Sequence, residues 1–141
     1  MLARIRKAKE TEGFTLIELL VVMIIIGILA AIAIPVFLNQ RKNGYRSAVK
    51  SDLKNASLGI ESAAADVDGD YTKLGAAGVA TTTGALPSGA VEFNGSGNVT
   101  TSIVSVTATD YCLSATHTSL TSETWYLKKS LGGSPSKTAC T

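Results

Sequence analysis

At 141 residues the chain has room for one small domain and an attached segment, and its 45% apolar content gathers in one stretch. Its formal charge of +2 resides at the amino terminus, where Arg4, Arg6, Lys7 and Lys9 outweigh Glu10 and Glu12. Nine basic and nine acidic residues remain, a balance that excludes a general polyanion binder, and two cysteines with one histidine fall short of a four-ligand structural zinc site.

Residues 1–13 are short, basic and polar. Between Phe14 and Leu38 only Thr15 and Glu18 are polar. A helix over 14–38 would be roughly 37 Å long at 1.5 Å per residue, enough to cross a bilayer core. Glu18 is the anomaly in that run. A charged residue at the centre of a membrane helix costs about 3 kcal/mol or more, so one retained there is a candidate functional group. Gly27 and Pro35 interrupt the run; both are tolerated in membrane helices, and Pro35 removes one backbone hydrogen bond.

The helical pattern continues past Leu38. Tyr45, Val49, Leu53, Ala56, Ile60, Ala63 and Val67 recur at spacings of three and four, with Arg46, Lys50, Ser51, Asp52, Lys54, Asn55 and Glu61 on the other face. The spacing predicts one helix from Phe14 to about Ala65. Arg41, Lys42, Arg46, Lys50 and Lys54 read as a solvated or headgroup-facing surface rather than a nucleic-acid site. "DVDGDY" then ends the helix. Asp66, Asp68 and Asp70 alternate as in a calcium loop, but Tyr71 and Ala77 stand where glycine and a bidentate glutamate are needed. The stretch reads as a turn with Tyr71 folded onto the core.

Residues 75–98 hold six glycines and Pro87, a loop-rich connection. Strand signals follow at Ala90 to Phe93, at Val99 to Thr107 after the turn "NGSGN", at Tyr111 to His117 and at Thr124 to Lys128. A three- or four-stranded antiparallel meander packed on the helix stripe gives an α+β domain. Cys112 and His117 lie close enough in sequence to draw a nucleophile pair. If the domain is extracellular, a disulfide between Cys112 and Cys140 is the better reading, worth about 3.5 kcal/mol in the chain-entropy account. No nucleophile, base and pocket combine, which argues against an enzyme. Lys128, Lys129 and Lys137 read as a solvated cluster, with contact to DNA or an acidic surface as the weaker alternative.

The amino-terminal segment admits three readings. As a secretory signal, "AIA" at Ala31 to Ala33 offers a cleavage site and a mature chain from near Ile34. As a plain single-span anchor, its orientation is open, because Lys and Arg flank both sides in similar numbers. The third reading accounts for Glu18. "GFTLIELLVVMIIIGILAAIAIPVFLNQR" resembles the amino-terminal region of type IV pilins and of the related type II secretion pseudopilins, a likeness extending from residue 4 to about residue 54.

That resemblance implies a fold and a mechanism. It implies a long helix with its apolar half protruding and its amphipathic half on the sheet. The corresponding division is a leader, 1–13; a membrane and filament-core helix, 14–38; and a pilin domain, 39–141, made of helix to 66, loop 67–90 and sheet with disulfide loop 91–141. A prepilin peptidase would cut between Gly13 and Phe14, and Phe14 would be N-methylated. Glu18 would pair with the terminal amine of a neighbouring subunit, and the segment bracketed by Gly27 and Pro35 would lose helix on assembly. Cys112 and Cys140 correspond to the cysteines that bracket the carboxy-terminal loop. No cofactor or metal is implied. The implied partners are copies of the chain in a helical filament, the peptidase/methyltransferase, an inner-membrane assembly platform and membrane lipid before assembly. The chain would move from the cytoplasmic membrane to an extracellular pilus. A pseudopilin of a secretion or DNA-uptake apparatus is the nearest alternative, though those usually carry a calcium site and often lack the cysteine pair.

Overall fold

The computed structural model describes residues 13–74, 78–79, 84–85, 92–93 and 95–140. The basic leader up to Glu12 and most of the glycine-rich connection, Pro87 and Ala90 included, lie outside the described residues. Helix α1 runs Leu16–Ala65 and stays helical through Gly27 and Pro35. The chain divides into two compact units between Leu38 and Asn39. In the first, no described residue is buried.

In the second unit α1 buries Val49, Leu53, Ala56, Ile60 and Ala64, a spacing of three and four that keeps them on one face. Two expectations for this face need correction. Ala64, four residues after Ile60, is buried where Ala63 is only partly so. Asp52, expected among the solvent-facing residues, is 2% exposed. It lies three residues after Val49 and four before Ala56, so geometry puts it inside whatever its polarity. A buried carboxylate must be hydrogen-bonded. Asp52 accepts from Ser96 N–H at 2.7 Å and Ser96 Oγ at 2.9 Å. The helix ends as "DVDGDY" predicts. Asp68 and Gly69 take positive φ of 59° and 78°, and Gly69 N–H donates back to the Ala64 carbonyl at 2.8 Å. Tyr71 is buried in the 3-10 turn Tyr71–Leu74.

Among the described residues six strands follow: β1 (Gly78–Val79), β2 (Gly84–Ala85), β3 (Glu92–Phe93), β4 (Val99–Val106), β5 (Tyr111–His117) and β6 (Thr124–Lys128). The main antiparallel sheet has the order β1-β4-β5-β6. Its three long strands are those the alternation predicts. The fourth is β1, from the segment expected to be loop, whereas the described part of the predicted strand at 90–93, Glu92–Phe93, is β3, paired with β2 in a separate ribbon. Val99, Thr101 and Ile103 of β4, Tyr111, Leu113, Ala115 and His117 of β5, and Trp125 and Leu127 of β6 are buried. All of them except Thr101 and His117 join the α1 stripe in one core. A register shift between Ile103 and Ser105 makes Val104 the extra residue of a bulge and leaves it exposed.

The chain after β6 folds back along that strand. Gly132 and Gly133 adopt positive φ of 84° and 63°, which lets the backbone reverse. Ser136 and Tyr126 then exchange two backbone hydrogen bonds of 2.8 Å, covering the outer edge of β6. Cys140 closes the loop onto Cys112, with Cα atoms 6.2 Å apart.

Candidate functional site

At the amino terminus, Gly13, Phe14 and Thr15 precede α1 in open backbone, and Phe14 is 84% exposed. Thr15 caps the helix: its Oγ1 accepts the Glu18 N–H at 3.2 Å. Thr15 and Glu18 thus occupy the first and fourth places of a capping-box pattern, a local signal not used in reading the sequence. Glu18 lies in the first turn, where the helix dipole favours negative charge. It is the one acidic residue of the helix within an exposed apolar surface of Leu16, Ile17, Leu19, Leu20 and Val21. Its carboxylate has no hydrogen-bond or ion-pair partner among the described residues. A Cβ at Gly27 would meet nothing within 4 Å, so packing inside this chain does not demand glycine there.

The second unit carries two polar clusters that lock α1 to the sheet. In the first, Arg46 of α1 donates to Glu123 just before β6, Nε to Oε2 at 2.9 Å and a terminal nitrogen to Oε1 at 2.5 Å. Lys137 meets the same carboxylate at 3.3 Å. Hydrogen bonds and charge from Arg46, helped by Lys137, bring the Glu123 pKa down to about 2. The Lys50 and Lys137 ammonium groups lie 4.2 Å and 5.4 Å from the centre of the Trp125 ring.

In the second cluster, Glu61 accepts from Tyr71 OH at 2.8 Å and from Tyr111 OH at 3.1 Å. The two rings meet edge to face with centroids 5.1 Å apart. Lys129 donates to Tyr71 OH, which holds its ammonium pKa above the usual value. Burial pushes the Tyr111 phenol up as well. Glu61 is exposed, as its place on the polar face implies, and also tethers α1 to the following turn and β5.

The other sequence candidates fall into place around these. Cys112 is disulfide-bonded, so its thiol is not free. It also stands an odd number of residues from His117, which puts the two on opposite strand faces. His117, 6% exposed, stacks on Tyr45 with ring centres 4.2 Å apart, and its Nδ1 accepts the Ser119 N–H. The Asp70 carboxylate of the calcium-like stretch is engaged by the Thr72 N–H and hydroxyl, which lower its pKa. Burial raises the Asp110 pKa, but hydrogen bonds from Ser130 and the Tyr111 N–H outweigh it and leave Asp110 below its usual value. It fastens the turn after β6 to the β4–β5 loop.

A family model described as the prokaryotic N-terminal methylation motif matches residues 9–34, the stretch that contains Gly13, Phe14, Glu18 and Gly27. The chain is 38% identical over 109 residues to the type IV wide pilus major component PilA4 of Thermus thermophilus, covering 77% of this chain and 76% of that one. It is 57% identical over 45 residues to the type IV major pilin PilA of Myxococcus xanthus, across 32% of this chain and 20% of the relative. It is 47% identical over 55 residues to the type IV major fimbrial protein FimA of Dichelobacter nodosus, across 39% and 35%. The sheet domain behind the motif is the α+β arrangement expected of that family. The chain belongs to the type IV pilin family: it is a structural pilus subunit, not an enzyme.

Proposed function

We propose that the chain is made as a prepilin, cut between Gly13 and Phe14, N-methylated at Phe14, held in the cytoplasmic membrane by 14–38 and then polymerised into an extracellular filament. Residues 1–13 are the leader in this reading and 39–141 the domain displayed outside. The carrying observation is the first unit, whose described residues form an apolar helix with none of them buried and a single carboxylate in its first turn. Such a surface is stable only against lipid or other helices. Membrane lipid covers it before assembly, and the helices of other copies cover it afterwards.

Cleavage leaves an ammonium at Phe14, four residues from Glu18. In a water-free bundle, Glu18 of one copy needs a cation, and the terminal amine of the next copy supplies it. That pair sets the register between subunits. The helix between Gly27 and Pro35 is the segment that gives way on assembly, because Pro35 lacks one of the hydrogen bonds that would resist melting. The peptidase/methyltransferase and an inner-membrane assembly platform are the remaining partners. Cys112 and Cys140 hold the loop that the filament shows to its surroundings.

The test is Glu18→Ala in cells. The variant is expected to accumulate in the membrane, processed at Gly13, without surface filaments. Filaments at wild-type number and length would sink the assigned role of Glu18.

A further inference from the structure

An open groove of about 450 Å³ runs between α1 and the carboxy-terminal loop, lined by Ser47, Lys50, Ser51, Lys54, Ser134 and Pro135. Among the described residues no carboxylate lines it. Lys50 of the groove shares the Trp125 ring with Lys137, and Lys137 and Arg46 both hold Glu123. Asp52, the one acidic residue on this stretch of helix, is turned inward to Ser96. Arg46 and Lys137 therefore share one carboxylate, while Lys50 lies over the Trp125 ring and Lys54 has no ion pair among the described residues. Three hydroxyls beside two exposed ammonium groups form a donor-rich cleft that suits carboxylate oxygens. The same unit exposes the complementary group at the end of α1. Asp66 and Asp68 are exposed, on a turn fixed in shape by the positive φ of Asp68 and Gly69.

We propose that the Lys50–Lys54 groove of one subunit receives the Asp66–Asp68 turn of a neighbouring copy. The proposal rests on the polymeric reading above. Donor groove and acidic turn are different patches of one surface, so a copy that receives one neighbour's turn still offers its own turn to another, and such head-to-tail contacts propagate as an open helical array. The contact thereby supplies register between the outer domains, independently of Glu18.

The experiment is charge exchange in the full chain in cells, with filaments counted by electron microscopy and subunit level in the membrane followed by immunoblot. Lys50→Glu with Lys54→Glu is expected to reduce filaments about tenfold, two exposed ion pairs being lost at every junction. Asp66→Lys with Asp68→Lys is expected to do the same, and all four substitutions together to restore filaments. Unchanged membrane levels show that each variant folds. Loss in both pairs without restoration in the quadruple variant overturns the pairing, and would mean that the groove takes a different anion. Undiminished filaments in either pair also overturn it. Absence of filaments from the wild-type chain would instead refute the polymeric reading itself, which keeps the two failures distinct.

Discussion

Replacing Asp52 by alanine tests the packing argument at its least expected point. The carboxylate is buried and accepts two hydrogen bonds, at 2.7 Å and 2.9 Å, that tie α1 to the turn before β4. Hydrogen bonds to a charged group contribute about 1.5–3 kcal/mol each. Ser96 is half-buried, so water recovers part of the loss. Asp52→Ala is therefore expected to destabilise the domain by about 2–4 kcal/mol, lowering Tm by roughly 10–20 °C in a domain of this size. Asp52→Asn keeps one acceptor but turns an amide toward Ser96 N–H, and falls between. Ser96→Ala removes only the hydroxyl bond and is expected to cost about 1 kcal/mol. The assay is thermal and urea unfolding of the full chain in detergent, followed by the fluorescence of its single tryptophan, Trp125. A change below about 0.5 kcal/mol in Asp52→Ala, the range of an ordinary surface substitution, would refute the reasoning.

Replacing Cys112 and Cys140 together by serine is expected to lower unfolding stability by about 3.5 kcal/mol, read as a fall in the urea midpoint. An unmoved midpoint would mean that the Ser136–Tyr126 bridge and the core hold the loop unaided. Acid provides a second test. Glu123 sits at about 2 against an ordinary 4.5, so its contribution is present above about pH 4.5 and is lost as the pH falls toward 2. Glu123→Gln should flatten that part of the acid-unfolding profile, and a profile identical to wild type would contradict the assigned pairing.

The amino-terminal motif was legible because its signal is local: glycine, phenylalanine and one carboxylate at the head of an apolar run. The long helix and the three long strands were legible for the same reason, since each declares its own periodicity. Long-range polar contacts did not declare themselves. Arg46 and Glu123 are 77 residues apart in sequence, and nothing in either neighbourhood names the other. Asp52 was misplaced because its polarity was weighed above its position on the stripe, although the spacing from Val49 and Ala56 points inward. Strand pairing in the glycine-rich connection was missed because two-residue strands carry no alternation to read.

The most direct test of the central claim is the intact mass and amino-terminal peptide of the protein taken from its native membrane or surface fraction. The account predicts a chain that starts at methylated Phe14 and retains Glu18. A chain that starts near Ile34 would show that Ala31 to Ala33 was the cleavage site and Glu18 was discarded with a signal peptide, and it would contradict the proposed processing and the assembly role built on it.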